Sequence, residues 1–410
     1  MLLYNLSIWF YWLFVRLAAP FHTKAKLMVK GRQNMWAELE AKLKGNTAPV
    51  AWFHCASLGE FEQGRPVIEA FAQQYPEYKI ALSFFSPSGY EVRKNYAGAH
   101  YIFYLPKDSA TNARKMVSLL RPKLAVFVKY EFWHYFTQEL KNQNVPVISI
   151  STIFREGQLF FKPYGGFYRN ILRNFSWFFT QNLQSDNLLK SIQINNVSVA
   201  GDTRFDRVLQ TAASVKTIPV VEAFKAGKEI FVIGSSWPED MQVLVPFLKK
   251  YQPELKFIIA PHEIHENEIA ALCHEFAGTA IRFSEVKTRD LTEYSVLIID
   301  NIGMLSSLYG YGSYAFIGGA FGKGLHNTLE AAVFGLPLFF GPKYEKFQEA
   351  KDLVALQTAF PVNNFAELET VFENVKKPET KNAIAARQKT YIAGQAGATQ
   401  KIMDWISATL

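Results

Sequence analysis

Apolar side chains are distributed along this chain in two alternating kinds of segment. Short runs rich in Val, Ile, Leu and aromatic residues occupy 50–54, 80–85, 124–129 and 145–150, and longer helix-like stretches at 61–75, 109–120 and 132–142 separate them. Strands alternating with helices predict a mostly parallel sheet covered by helices. The pattern then restarts. Strands are expected at 230–234, 257–260, 296–300, 314–318 and 336–340, with helices at 238–251, 265–276, 304–309, 327–334 and 347–356. The result is an α/β chain with two doubly wound halves. Residues 207–228 carry no strong strand pattern and are expected to contain the linker, and 376–410 reads as helix.

The first fifteen residues break this alternation. They carry no charge and are rich in Leu, Trp, Tyr and Phe; Arg16 interrupts, apolar character resumes to Phe21, and Lys24, Lys26, Lys30 and Arg32 follow. A spanning helix wants ~20 apolar residues, so this segment suits lying in a membrane interface or crossing at a tilt. The basic flank is that expected on a cytoplasmic side. A cleaved signal peptide fits less well, because no basic region precedes the apolar run. A plain buried first helix is the other alternative. The segments expected are therefore a membrane-associating stretch at 1–23 and two domains at 24–212 and 213–410.

Composition narrows the partners. With 410 residues, 49% of them hydrophobic, there is enough apolar surface for two cores. Lys and Arg number 44 against 36 Asp and Glu, a net charge of +8 that suits an anionic membrane, nucleic acid or a phosphorylated substrate. Nucleic acid is the weakest of these, because there is no dense Lys/Arg stripe and no known binding module. Cys55 and Cys273 fit no zinc or redox spacing, as expected in a reducing compartment. His262 and His265 stand three apart but outside an H-E-x-x-H pattern and without an evident third ligand, so no metal is expected.

In open parallel sheets ligands bind beyond the carboxyl ends of the strands. Four such junctions stand out. After the strand at 50–54 comes Ala56-Ser57-Leu58-Gly59-Glu60. Glu60 is placed either to act as a fixed carboxylate or merely to favour the positive end of its helix. After 124–129 comes Glu131, between bulky aromatics in Tyr130-Glu131-Phe132-Trp133. Two carboxylates at neighbouring strand ends are suited to deprotonating and orienting a sugar hydroxyl. At Gly201-Asp202-Thr203-Arg204-Phe205-Asp206, Arg204 either stabilises a leaving phosphate or pairs with Asp202 or Asp206. The last junction is a glycine-rich loop running from Gly319 to Gly324 and on through Leu325-His326-Asn327-Thr328-Leu329-Glu330. It matches neither standard nucleotide motif, yet its glycines and the N–H groups at 327–329 suit a phosphate, and Glu330 suits ribose hydroxyls.

Taken in order, S-L-G-E (57–60), E-F-W (131–133), G-D-T-R-F-D (201–206), P-H-E (261–263) and G-L-H-N-T-L-E-A (324–331) resemble the bacterial 3-deoxy-D-manno-octulosonic acid (Kdo) transferases of lipid A and lipopolysaccharide biosynthesis. The resemblance implies a GT-B fold of two Rossmann-like domains around an interdomain cleft, with an N-terminal membrane-associating helix. The first domain would bind the acceptor and the second the CMP-sugar. It implies an inverting, metal-independent transfer of Kdo from CMP-Kdo to the lipid A precursor at the cytoplasmic side of the inner membrane, with no cofactor beyond the donor. Glu60 would be the general base, and Glu131 and Arg204 would stabilise the transition state. CMP would lie against Pro261, His262, Ile302, Gly303, Met304, Asn327, Thr328, Leu329 and Glu330. Arg32, Lys24 and Lys26 would meet either the acceptor's phosphates or the membrane. This chain departs from the family at His262, where many members carry Arg, and at Met304 and Leu325, where Glu and Gly are common. The competing functions are a GT-B transferase using a UDP-sugar and a non-catalytic scaffold that holds a nucleotide or lipid at the membrane; the presence of Glu60 argues against the scaffold.

Overall fold

The computed structural model describes residues 1–215 and 217–410, with Thr288 described by its backbone alone. Lys216, inside the stretch expected to contain the linker, lies outside the described residues. The chain forms two compact units: Met1–Arg207 with Gln395–Leu410, and Val208–Gly394.

The first unit opens with three helices, α1 (Leu2–Ala18), α2 (Thr23–Lys30) and α3 (Met35–Leu43). There follow β1 (Val50–Cys55), α4 (Leu58–Gln74), β2 (Lys79–Phe84), α5 (Pro87–Arg93), β3 (Tyr101–Tyr104), α6 (Ala110–Leu120), β4 (Pro122–Val128), α7 (His134–Asn142), β5 (Val147–Thr152), β6 (Trp177–Thr180) and β7 (Val197–Val199). The strands pair in parallel in the order β3-β2-β1-β4-β5-β6-β7. Every residue of β1 is buried, as expected of a central strand with helices on both faces. The chain leaves β1 in one direction to β2 and β3, then returns to place β4 on its other side. The strand order reverses between β1 and β4, and a crevice opens there beyond their carboxyl ends. Gly64 brings α4 close over this point, since a Cβ there would lie 3.0 Å from Val128 Cγ2 and 3.2 Å from Cys55 Sγ.

The second unit repeats the plan with β8 (Glu229–Ser236), β9 (Leu255–Pro261), β10 (Ala280–Arg282), β11 (Val296–Ile298), β12 (Tyr314–Ile317), β13 (Leu338–Phe340) and β14 (Ala359–Pro361). Their parallel order is β10-β11-β9-β8-β12-β13-β14, so the reversal falls between β8 and β12.

Two expectations about chain organisation are corrected. The stretch at 207–228 does contain the boundary between the units, at Arg207/Val208, but it is largely helical, with Thr203–Ala213 running into it and Pro219–Lys225 following. The stretch at 376–410 is not one helix of the second domain. It breaks at Gly397, whose φ of 102° is open to glycine, into Pro378–Gln395 and Ala398–Thr409. The last helix belongs to the first unit, where Ala398, Ile402, Met403 and Ile406 join Val67, Ile68 and Phe71 in one core. Asp206 fixes its start by accepting hydrogen bonds from Gly397 N and Thr399 N, both at 2.6 Å. The boundaries 24–212 and 213–410 thus fail at the C-terminus. An apolar face at i, i+4, i+8 does not say which core it joins, and the cap comes from nearly two hundred positions away.

The N-terminal segment forms a helix lying on the first unit. Its inner side is held by Tyr4, whose hydroxyl donates to Asp108 Oδ2 at 2.5 Å, and by Asn5, which accepts from the Tyr135 hydroxyl at 2.8 Å. Asp108 also accepts from the Tyr135 and Phe136 N–H groups at the start of α7. Burial pushes its carboxyl up to about 6 against those hydrogen bonds. The outer side of α1 leaves Leu2, Leu3, Leu6, Trp9, Phe10, Phe14 and Leu17 exposed. Among the described residues no single helix is long and apolar enough to cross a membrane, although α1 and α2 together, bent by 115°, have the length and composition.

Arg32 does not face outward as a phosphate contact would. Its guanidinium donates to the carbonyls of Leu105, Met28 and Phe85 at 2.8, 3.0 and 2.7 Å, and lies against the rings of Trp12, Phe85 and Tyr104. Burial pulls its pKa down to about 10. It is a tie between α2, α1 and the ends of β2 and β3.

Candidate active site

Glu60 and Glu131 come together at the β1/β4 reversal. The Ser57 backbone N–H donates to Glu60 Oε2 at 2.8 Å and the Ser57 hydroxyl to the same oxygen at 3.1 Å, a reciprocal cap at the start of α4. This realises the structural role that the sequence left open for Glu60, and it also orients the side chain, because both protein bonds fall on Oε2 and leave Oε1 for another partner. Burial and then the negative charge of Glu131 push the Glu60 carboxyl above its ordinary range; the Ser57 hydrogen bond, Lys129 and His54 pull the other way. A carboxylate held up by its surroundings is a better proton acceptor at neutral pH.

Glu131 is gripped on one oxygen by two donors. Trp133 Nε1 lies 2.7 Å and His54 Nε2 2.9 Å from Oε2. His54 is fully buried in β1, and its Nδ1 lies 2.8 Å from Ser83 Oγ on β2, which also accepts from Trp52 Nε1 at 2.8 Å. Because a carboxylate only accepts, Nε2 carries a hydrogen facing Glu131, while Nδ1 meets the Ser83 hydroxyl and, at 3.2 Å, the Ser83 carbonyl. The chain Trp52–Ser83–His54–Glu131 therefore links β1, β2 and the loop that follows β4. Sequence reading missed His54. Its signal was a histidine inside an otherwise apolar central strand, where a polar side chain needs a partner.

Arg204 lies in the same unit and is anchored to the helix that carries Glu60. Its backbone N–H donates to Asp202 Oδ1 at 2.9 Å, and Nε and one terminal nitrogen reach Oδ2 at 2.9 and 2.8 Å. Asp202 also accepts from Gln63 of α4, and the Thr203 hydroxyl bonds the Gln63 carbonyl. Burial works to raise the Asp202 carboxyl, but the Arg204 charge and hydrogen bonds outweigh it and hold it low. The Arg204–Asp202 pair is thus present and half-buried rather than a loose surface contact. One turn of α4 therefore separates the residue that positions Arg204 from Glu60.

In the second unit the predicted nucleotide contacts gather beyond β8, β9, β11 and β12. His262 N donates to Ser236 O at 3.0 Å, joining the ends of β9 and β8. The imidazoles of His262 and His326 stack with centroids 4.3 Å apart, and Trp237 stacks against His262 at 4.6 Å, so the three rings form one cluster. Trp237 Nε1 donates to His326 Nε2 at 3.1 Å, so the neutral imidazole carries its hydrogen on Nδ1. Burial, and then His262, push His326 down to about 4; burial also lowers His262, against Glu263. Both rings are neutral near pH 7. Trp237 and His326 pack with the predicted contact His262; Trp237 was not singled out from the sequence, and His326 only as part of the glycine-rich loop.

The glycine-rich loop is built by close backbone approach. A Cβ on Gly318 would lie 2.1 Å from Ser235 O, and Gly319 has a φ of 94°. Asp240 holds the two loops together, its Oδ2 accepting from Trp237 N at 2.8 Å and Gly319 N at 2.9 Å. Beyond the glycines, Glu330 is fixed by Ser306 Oγ at 2.8 Å and Asn327 Nδ2 at 3.0 Å, which brings the loop containing Ile302, Gly303 and Met304 to the one containing Asn327 and Thr328. Ile302 is 91% exposed. The expected row of open N–H groups at 327–329 is shortened. The helix begins at Leu329, whose N–H is already taken by Asn327 Oδ1 at 3.2 Å. The Thr328 hydroxyl, by contrast, is buried with no hydrogen-bond partner, a position suited to a bound ligand.

Comparison with known proteins bears on the family and the fold. Residues 30–207 match the family model of the 3-deoxy-D-manno-octulosonic-acid transferases (kdotransferases). The chain is 28% identical over 314 residues to the 3-deoxy-D-manno-octulosonic acid transferase of Chlamydophila psittaci, covering 72% of this chain and 70% of that one. It is 24% identical over 378 residues to that of Haemophilus influenzae, covering 88% and 87%. Among solved structures, the UDP-GlcNAc 2-epimerase of Neisseria meningitidis is similar with a TM-score of 0.61 at 15% identity, over 88% of this chain and all of that one. Acinetobacter baumannii MurG is similar with a TM-score of 0.56 at 13% identity, over 88% and 99%. At these identities the structures speak for the fold alone, which is the GT-B type.

Proposed function

We propose, for a chain that belongs to the 3-deoxy-D-manno-octulosonic acid transferase family, that it carries Kdo from CMP-Kdo to a hydroxyl of the lipid A precursor with inversion at the anomeric carbon. The first unit supplies the acid–base and charge-stabilising groups, and the second holds the nucleotide. Glu60 Oε1 takes the acceptor proton as the hydroxyl oxygen attacks the anomeric carbon; the bond from that carbon to the phosphate oxygen breaks, and CMP leaves with the electron pair. Glu131, fixed by His54 and Trp133, steadies positive charge developing on the sugar, and Arg204 steadies the leaving phosphate. The nucleotide lies against Pro261, His262, Ile302, Gly303 and Met304, with Asn327, Thr328, Leu329 and Glu330 on the other side. The scheme uses no metal and no further cofactor.

The observation that carries this reading is the state of Glu60, half sequestered, one oxygen occupied by Ser57, its carboxyl raised by burial and Glu131. Work at the cytoplasmic side of the inner membrane is supported by the exposed apolar side of α1 and the exposed Lys24, Lys26 and Lys30 beside it, the composition of a helix lying in an anionic interface. The test is transfer from CMP-Kdo, generated in the reaction, to a tetraacylated lipid A precursor by wild type and Glu60→Gln. The amide oxygen of glutamine keeps an acceptor for Ser57 N–H, so the helix start survives while the base is lost. A fall in turnover of about 10²-fold or more is expected. Wild type inactive with CMP-Kdo but active with a UDP-sugar would refute the donor, and an undiminished Glu60→Gln would refute the base.

A further inference from the structure

We propose that the cavity between α1 and the loops that follow β2 and β4 receives an alkyl chain of the acceptor, so that the N-terminal helix reads the acceptor's acylation as well as resting on a membrane. This rests on the reading above of a lipid acceptor attacked at Glu60.

The cavity is about 340 Å³ and is lined by Ser7, Ile8, Tyr11, Trp12, Phe85 and Trp133. Phe85 and Trp133 form one wall, with ring centroids 5.1 Å apart, and Tyr11 closes on Phe85 at 5.8 Å. The polar hydrogens of two lining residues are spent elsewhere. Ser7 Oγ donates to Tyr4 O at 2.7 Å, and the Trp133 indole donates to Glu131. A cavity with such walls favours hydrocarbon over water or a sugar hydroxyl.

Its position selects the occupant. Trp133 is at once the wall of the cavity and a donor to the site carboxylate, so a chain lying here is one side chain away from Glu131. Phe85 stands just past β2, where Ser86 N bonds Ala56 O in the loop leading to Glu60, so the opposite wall is tied to the base as well. The helix that roofs the cavity presents Leu6, Phe10 and Phe14 outward. An amphipathic acceptor drawn to that apolar side can therefore place its head group at the carboxylates with one chain under α1. A bilayer lipid has no reason to reach the catalytic edge; an acceptor must.

Each methylene removed from water is worth about fourfold in affinity, so apparent affinity for the acceptor should climb with chain length until the cavity is full. The experiment uses the full chain, a tetraacylated lipid A precursor, and the same phosphorylated disaccharide stripped of its acyl chains. Ser7 is exposed on α1, so Ser7→Leu fills the cavity from its open side with little risk to folding; Ile8→Ala enlarges it. The expected result is a fall of about tenfold in kcat/KM for the acylated acceptor with Ser7→Leu, no change for the deacylated one, and unchanged sedimentation with phosphatidylethanolamine–phosphatidylglycerol vesicles. Ile8→Ala should shift the preference to longer chains. Equal losses with both acceptors, or none, overturn the proposal while leaving the transferase reading intact. So does loss of vesicle binding without a kinetic effect, which gives the cavity to a bilayer lipid. Wild type that transfers Kdo to neither acceptor refutes the underlying reading instead. Equilibrium binding of the two acceptors without donor is then the separate readout, with weaker binding of the acylated one alone to Ser7→Leu expected.

Discussion

Replacing His54 by Asn and by Gln separates the two ends of its imidazole. Asparagine offers an amide near the place of Nδ1 and keeps a partner for Ser83, but it is too short to reach Glu131. Glutamine reaches further and offers a nitrogen near the place of Nε2. Only the second retains the 2.9 Å contact to Glu131. The Glu131 side chain is 11% exposed and the His54 side chain fully buried, so water does not substitute freely for the lost donor. A hydrogen bond to a charged group contributes about 1.5–3 kcal/mol, which corresponds to about 10- to 150-fold in rate if it is felt in the transition state. We expect kcat for Kdo transfer to fall by that factor in His54→Asn and to recover most of the loss in His54→Gln, with circular dichroism and urea unfolding as controls for the fold. In a cycle with Glu131→Gln, the effect of His54→Asn should largely disappear, because the charge it supports is gone. If Asn and Gln are equally impaired, or if the His54 and Glu131 losses simply multiply, His54 serves packing and not the carboxylate.

Other outcomes follow from the same geometry. Since burial and the Glu131 charge both raise Glu60, the acid limb of kcat/KM against pH should lie above the ordinary glutamate range, and Glu131→Gln should move that limb to lower pH in its residual activity; a limb that stays put detaches the two groups. Asp206→Ala removes the acceptor for Gly397 N and Thr399 N and should lower stability by about 1–3 kcal/mol in urea titration, with early proteolysis near residue 397; an unchanged midpoint would show that the apolar face alone seats the last helix. Thr328→Val should raise KM for the donor while stability stays within about 0.5 kcal/mol of wild type, because the buried hydroxyl has no protein partner to lose; a clear loss of stability with no change in KM would reverse that assignment.

The alternation of strand and helix was legible where strands are central and long. The runs expected at 50–54, 124–129, 230–234 and 257–260 correspond to β1, β4, β8 and β9, three of which flank the reversal points. Missed were β3, β6, β7, β10 and β14, each of three or four residues; four of them are sheet edges, where few side chains must be apolar. The carboxylates were legible because they sit immediately past central strands. What supports them was not, since His54 meets Glu131 across 77 positions and Gln63 meets Asp202 across 139. Arg32 was misjudged for a related reason. A basic residue in a basic flank looks like its neighbours until the three carbonyls around it are seen.

The last helix has a consequence for how the chain is made. In chain order α1 comes before the second unit and Ala398–Thr409 after it. A nascent chain that has completed Gly394 has every strand of the first sheet but lacks the cover for Val67, Ile68 and Phe71 on α4. During that interval the bare side of α4 stays uncovered on a polypeptide that is still attached to the ribosome. The first unit becomes whole only once residues 395–410 have been made. A chain cut before Ala398 would keep Glu60, Glu131 and Arg204 and still leave the first unit without the helix that covers Val67, Ile68 and Phe71.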